Sequence, residues 1–584
     1  MAQAPNKIKK IWKWIGGIFL LFLLLLGSFA LYFSLRWKPL LAGKIKEGVD
    51  QASRHLYKVD FKDIHLNLLT GSAALDGLTL VPDTAVFREL KRQGKAPMHL
   101  FELQIGRLQI RRVGVLKAWL HKEIDISSIL LDKPSIRMIR YGVPVKKDAT
   151  TNKQNLYELL SKSLKSIQVD QVRVQDADMA YLSGASGKKL HEVKKLNIKV
   201  QDLLLDARSE QDSSRVYGAK DISFELAGYH ARTKDNMYTL KADSLSGSVN
   251  KGTLMLKDFR MVPMYPELAF SRKYKTQKDR YDLHFQRLEM KGLDFSGFNL
   301  EGSLHAGLLK AGPAKVNVFM NRELPPVGFD KGKNYPQLAL RRLALPLTID
   351  TVLLQHIDVA YTEYNPIAQK KGTVELGNLQ GRILNVTNDS LQLLHKNHAL
   401  ATLNTRVLNA AALFVKIDFK LDSKNADFHY QGHIGAMDMK ALNPLAESLG
   451  LVKIEQGQVQ KADFDVQANL KGSRGKMNFY YTALKVALLK ETEEGAAPKK
   501  KGFLSFLANK LVIKDANPSK GEKVRTAEIR FERTPAASFF NLLWKSVFTG
   551  IRETVGIGMV PVKSPEKAYE KVKDKKQERK EKQH

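Results

Sequence analysis

The chain has 584 residues, a formal net charge of +34 and no cysteine. The missing cysteines exclude disulfides, thiolate metal centres and cysteine nucleophiles, and the positive charge favours acidic partners, anionic lipid surfaces among them. The length exceeds what one hydrophobic core holds and points to roughly two to four domains.

Residues 15–35, IGGIFLLFLLLLGSFALYFSL, carry no charge. A helix of that length spans the hydrocarbon core of a bilayer. Lys7, Lys9, Lys10 and Lys13 precede it, and Trp12, Trp14 and Trp37 flank it as interfacial aromatics do. The run is longer than the apolar core of a signal peptide, so a retained transmembrane anchor is expected, with residues 1–14 as a cytoplasmic tail. Basic residues stand on both sides of the span, so charge alone does not orient it. Next, Leu41, Ile45, Val49, Ala52 and Leu56 fall on one helical face behind Pro39, which predicts an amphipathic helix over 40–56.

Period-two alternation then takes over. Tyr57, Val59 and Phe61 alternate with charged residues, and Ile64, Leu66 and Leu68 resume one residue out of phase. The same slip recurs in Leu103/Ile105 then Leu108/Ile110, in Ile124/Ile126 then Ile129/Leu131, and in Ile167/Val169 then Val172/Val174. A one-residue slip marks a turn or a bulge. The pattern continues through Leu196/Ile198/Val200, Val316/Val318, Val352/Leu354, Val415/Ile417/Phe419, Phe464/Val466 and Leu511/Ile513, giving ~25 strands. Helical signals are few beyond the first: 155–165, 438–449, a short turn at 503–508, and 534–555. The stretches 262–281, 320–336 and 491–502 read as loops, and the Lys/Glu-rich 559–584 as a basic disordered tail.

The fold class expected is mainly β: an N-terminal transmembrane helix followed by an elongated, curved antiparallel sheet forming an apolar groove, with a few short capping helices. An alternating strand has one apolar face that needs cover. The helices are too few to supply it, leaving sandwiches, a barrel, or an open face filled by a non-protein guest. Beside a membrane anchor, acyl chains are the natural guest. At ~0.8 kcal/mol per methylene, a two-tailed lipid with about thirty methylenes faces ~24 kcal/mol in water, so an apolar track is needed to carry it. Ile105, Ile110, Ile126, Val169, Val174, Ile198 and Val200 are the residues expected to line that track.

The run LAGKIKEGVDQASRHLYKVDFKDIHLNLLTGSAALDGLTLVPD (41–83) resembles the start of AsmA-like proteins. The units 124–140, 165–182 and 347–364 resemble one another and that family's repeated strand unit. Residues 437–472 are similar to its C-terminal module, and 507–521 to a subgroup containing a domain of unknown function. The resemblance implies a bacterial envelope protein, single-pass in the inner membrane with its bulk in the periplasm. It also implies a repeating β-groove moving phospholipid between inner and outer membranes and supporting outer-membrane assembly. On this reading 36–205 is an N-terminal AsmA-like module, 206–345 a middle β region and 346–533 a C-terminal AsmA-like module. The partners are membrane phospholipids and other envelope proteins. The alternative is a scaffolding envelope protein built of closed β-sandwiches that carries nothing.

No enzyme activity, cofactor or metal is expected. The sequence lacks a P-loop, a dinucleotide glycine fingerprint, HExxH and G-x-S-x-G. His395/His398 and His429/His433 are the close histidine pairs, and the second pair stands ~13 Å apart on a strand without an evident acidic partner, so edge histidines are expected. Asp176 and Asp178 read as solvent-facing strand residues. Nucleic acid is not an expected partner, since no aromatic or basic recognition motif accompanies the charge. In the last helix Thr534 is the expected cap and Pro535 the first-turn residue. Phe540, Trp544, Val547, Ile551 and Val555 share one face, widened by Phe539, Leu543 and Phe548. The helix over 534–558 therefore reads either as a membrane-contact helix or as a plug at the end of the groove.

Overall fold

The computed structural model describes residues 38–67, 70–141, 164–209, 211–366, 369–450, 452–488 and 513–556. The predicted span at 15–35, most of the predicted helix at 155–165, the segments 491–502 and 503–508, and the C-terminal tail lie outside these residues. No helix among the described residues is long and apolar enough to cross a membrane. Among the described residues strand accounts for 57% and helix for 17%, so the protein is mainly β. Twenty-three strands and nine short α-helices are found among the described residues. The chain divides into two compact units, Met1–Asp258 with Met290–Gly302, and Phe259–Glu289 with Ser303–His584.

The first unit opens with helix α1 (Lys38–Ala52), which buries Leu41 and Ile45 in the core. Strands β1 (Tyr57–Asp60) and β2 (Asp63–Asn67) both pair with β3 (Ser72–Pro82). Helix α2 (Thr84–Arg92) follows, capped by Asp83, whose carboxylate accepts from the Ala85 and Val86 amides. Lys58 contacts that carboxylate at 2.7 Å. This contact and the two amides hold the Asp83 carboxyl at about 2. Then come β4 (His99–Val113), α3 (Val115–His121), β5 (Glu123–Asp132) and β6 (Ser135–Arg140). The unit continues with β7 (Ser166–Ser183), β8 (Lys189–Leu205), β9 (Ala219–Arg232) and β10 (Tyr238–Ser248).

Two strands, β11 (Thr253–Pro263) and β12 (Arg280–Leu293), run through the unit division, with α4 (Glu267–Ser271) between them and α5 (Phe295–Glu301) after them. The second unit holds β13 (Leu304–Ala311), β14 (Ala314–Asn321), α6 (Pro336–Arg341), β15 (Leu347–Asn365) and β16 (Lys370–Thr387). Helix α7 (Ser390–His395), β17 (His398–Val407), β18 (Ala411–Lys420), β19 (Phe428–Ile434) and β20 (Met437–Asp438) follow. The unit closes with α8 (Asn443–Gly450), β21 (Val452–Asn469), β22 (Gly472–Leu488), β23 (Thr526–Glu532) and α9 (Phe539–Val555).

Pairing is mixed, which corrects the antiparallel expectation. β7 runs parallel to β5 and β6, and β15 runs parallel to β13 and β14. Both parallel strands are entered by connections longer than a dozen residues, 141–165 and 322–346, which a parallel crossover requires and a hairpin does not. The remaining pairs with assigned register are antiparallel.

The phase slips in β4, β5 and β7 lie within continuous strands that keep one register with their neighbours across the slip. Along β5, Ile124, Ile126, Ile129 and Leu131 are all buried although Ser127–Ser128 breaks the alternation. In β7 the register against β8 shifts between Val174 and Ala177, where Asp176 has φ 49°. The Asp176 amide donates to Asn197 Oδ1 at 2.9 Å, and the Lys195 amide donates to Asp178 Oδ1 at 3.1 Å. The exposed pair Asp176/Asp178 thus clamps a bulge.

Residues 72–183 and 253–364 fold by the same plan. The order β3-α2-β4-α3-β5-β6-β7 is repeated as β11-α4-β12-α5-β13-β14-β15. Register is shared as well: Ile124 faces Ile167 in the first copy and Leu304 faces Leu347 in the second, a displacement of 180 residues in both strands. Positive backbone φ recurs at matched places, at Gly77 and Asp258, Arg112 and Gly292, Lys122 and Gly302, and Asp176 and His356. The second bulge has its own clamp, Asp358 Oδ1 accepting from the Asn378 amide at 2.9 Å.

Candidate functional site

Cross-strand register assembles the predicted track residues on one face of the first unit. One rung runs Ile110–Ile129–Val172–Val200–Ile222 across β4, β5, β7, β8 and β9. The next runs Leu108–Leu131–Val174–Ile198–Phe224 and reaches Gly247 on β10. Ile126 pairs directly with Val169, and Ile105 with Leu78 on β3. All seven predicted residues therefore belong to this apolar surface.

Its cover changes along the sheet. Ile105, Ile110, Ile126 and Val169 are buried at 2–6% exposure, within a core that Leu41, Ile45 and Phe87 complete. Val174, Ile198 and Val200 are only half-buried, as are Ile222 and Phe224 beyond them. Helix α1 packs on β1 and α3 on β5, and Phe87 of α2 joins the same core. A small cluster of Ala177, Leu196 and Leu226 continues the apolar surface past the bulge, joined by Met179, Val193, Tyr229 and Leu245. Along it His99, Tyr181, His191 and Tyr229 stand ring beside ring at 5.9–6.3 Å. Burial lowers the pKa of His191 and raises that of Tyr229, so both rings are neutral near pH 7.

The matching face of the second unit is sealed by its own chain. The rung Val352–Ile383–Ala401–Ile417–Tyr430–Val466–Gly475–Ile529 spans β15 to β23. From Ala401 onward its side chains are at most 6% exposed. Tyr335, Leu542 and Val555 lie in the same core, with Phe539 packed on it. Burial raises the pKa of Tyr335 and Tyr430 strongly.

Helix α9 supplies much of this seal. Its expected cap at Thr534 is corrected to Ser538, which accepts from the Asn541 amide. Arg533 explains the delay: its guanidinium donates to the Leu470, Thr534 and Ala537 carbonyls and to Asp330, holding 534–537 in a turn. The buried seam of the helix is Leu542, Ser546, Gly550 and Thr554, four residues apart. A Cβ on Gly550 would lie 2.7 Å from Met477 Sδ and 3.0 Å from Ile529 Cγ1, and Ser546 Oγ meets Ser473 Oγ at 2.6 Å. Sequence reading missed this seam because it follows bulk and hydrophobicity, whereas the contact is made by small residues. Their regular spacing was the available signal.

Of the five residues assigned to the aromatic face, Val555 is buried, and Val547 and Ile551 pack against the core. Phe540 meets Tyr361 in a tilted contact at 5.2 Å, and Trp544 meets Phe548 at 5.8 Å. Tyr361 is the counterpart, 180 residues on, of Tyr181. Both tyrosines are half-buried against rings of their own chain, Tyr361 beside Phe540 and Tyr181 beside His99 and His191.

The histidine pairs have acidic partners that the sequence pattern did not reveal. His429 contacts Asp465 at 2.9 Å and His433 contacts Asp463 at 2.7 Å, both from β21, and His398 contacts Asp418 at 2.6 Å. These are exposed pairs between neighbouring strands. No group of three His, Asp or Glu able to hold a metal occurs among the described residues. Compared with protein-family models and with curated proteins, the chain matches none.

Proposed function

We propose that the half-buried apolar face of β7–β10 binds phospholipid acyl chains and that the protein moves phospholipid through the bacterial envelope from an N-terminal membrane anchor. One observation carries the reading: Val174, Ile198, Val200, Ile222 and Phe224 form half-buried apolar rungs on adjacent strands of the first unit, whereas the side chains of the second unit's rung are at most 6% exposed from Ala401 to Ile529. An acyl chain laid on these rungs recovers ~0.8 kcal/mol per methylene removed from water. The side chains are aliphatic or Phe and carry no hydrogen-bonding group, so they hold a chain without fixing its position along the strands. A chain held this way slides rather than stopping at a deep minimum. The polar-tipped aromatics His99, Tyr181, His191 and Tyr229 suit contact with the more polar end of such a lipid.

Mass spectrometry of lipid retained by the purified full chain tests this. Phospholipid in stoichiometric or greater amount, retained after exchange into a lipid-free detergent, is the expected result. Lipid-free protein with an intact fold overturns the proposal and favours the scaffold reading.

A further inference from the structure

The connection between β11 and β12 presents an outward group of cationic side chains, as its counterpart in the first copy does at Arg88, Lys91, Arg92 and Lys95, and adds apolar ones. Val262, Met264, Tyr265 and Tyr281 are 37–42% exposed. Arg272, Lys273, Lys275 and Lys278 are exposed beside them. Lys273 Nζ stands 4.8 Å from the Tyr265 ring centroid and Lys278 Nζ 4.3 Å from that of Tyr274. Arg280 donates to the Tyr265 carbonyl at 3.2 Å, which brings the two ends of the connection together.

The segment is pinned from below by other residues. Phe270 and Ser271 are buried, and Asn321 donates to Ser271 Oγ at 3.0 Å. Gln277 donates through its backbone to the Pro325 carbonyl and through its side chain to the Leu324 carbonyl. The two acids of the segment, Glu267 and Asp279, face Lys371 and Lys331. Arg272 is drawn to Glu323, while Lys273 and Lys278 stand over tyrosine rings at the surface. In the first copy the matching exposed residue is Val81, but Asp83 and Thr84, the cap and first residue of α2, stand where Met264 and Tyr265 stand in the second. The exposed Met and Tyr are thus additions to a scaffold that folds without them.

We propose that this surface docks on an anionic phospholipid bilayer. Tyrosine and methionine side chains lodge at the headgroup level while lysines cover them and reach the phosphates. Each lysine near an anionic surface adds attraction that salt screens. The proposal does not rest on the acyl-chain face of β7–β10, since it concerns other residues and requires no lipid extraction.

The absence of native cysteine permits a single-site probe. The full chain, held in nanodiscs of phosphatidylcholine, carries an environment-sensitive fluorophore on Met264→Cys. Vesicles of phosphatidylcholine with phosphatidylglycerol are expected to shift its emission to the blue. Vesicles of phosphatidylcholine alone, or high salt, are expected to leave it unchanged. Replacing Lys273, Lys275 and Lys278 together by Glu is expected to weaken the response about tenfold or more. The same probe on Val81→Cys, in the matching turn of the first copy, is expected to stay silent. No shift at 264, an equal shift at 81, or an equal shift with neutral vesicles overturns the proposal. A response to polyglutamate without vesicles also overturns it, by identifying an acidic polypeptide as the occupant.

Discussion

Replacing Val174 by Asp separates folding from lipid binding. Val174 is half-buried, between Leu131 and Ile198 in register. Full burial of a valine side chain contributes ~1.5–3 kcal/mol, so the loss at this half-buried site is about 1 kcal/mol, and an ionised carboxylate there keeps its access to water. An acyl chain lying across it would remove that water. Even a partial desolvation penalty of about 3 kcal/mol lowers occupancy roughly a hundredfold. Ile129→Asp, on the neighbouring rung at 1% exposure, is the contrast: the charge is buried outright and the N-terminal core is expected to unfold. The assay is lipid per protein by mass spectrometry, with amide exchange of β7 and β8 as the folding check. Lipid at the wild-type level in a folded V174D protein would refute the reasoning.

Three further outcomes are expected. Gly550→Val places bulk against Met477 and Ile529, costs about 1–3 kcal/mol by overpacking, and should speed amide exchange across 539–555 while exchange in β7 is unchanged. Arg533→Leu removes a side chain 3% exposed that joins Asp330 at 2.7 Å; a loss of about 2–3 kcal/mol is expected, read as a lower melting point of the second unit, and Arg533→Lys should restore little because it lacks the planar fork. Burial raises the Tyr57 hydroxyl to about 12. A raised folded value means its contribution is complete below the unfolded value near 10 and is lost as pH climbs through about 12. Alkaline titration of the full chain should therefore loosen β1 and β3 in that window, and Tyr57→Phe should shift the onset upward.

Alternation made the strands legible. Ile124, Ile126, Ile129 and Leu131 are all buried across the slip, while β5 keeps one register with β4 and β7. The direction of β7 and β15 was not legible, because side chains alternate identically in parallel and antiparallel strands; the information lay in the long connections before them. The start of α9 was misread because Thr534–Pro535 satisfies a local capping pattern, while Arg533, reaching Asp330 two hundred residues away in sequence, overrides it. The apolar character of Ile105, Ile110, Ile126, Val169, Val174, Ile198 and Val200 was legible because an alternating strand shows its apolar side in the sequence. How deeply each part of an apolar face is buried depends on tertiary contacts, such as those of α1 in the first unit and α9 in the second, which alternation does not record.

The central claim, that acyl chains lie on one face of β7–β10, is tested most directly by photocrosslinking at alternate positions of β8 in living cells. A benzophenone amino acid is placed singly at Ile198, Lys199 and Val200, and adducts are identified by mass spectrometry. Phospholipid adducts at 198 and 200 but not at 199 are the predicted result, because successive side chains point to opposite faces. Adducts at all three positions, or at none, would contradict the account.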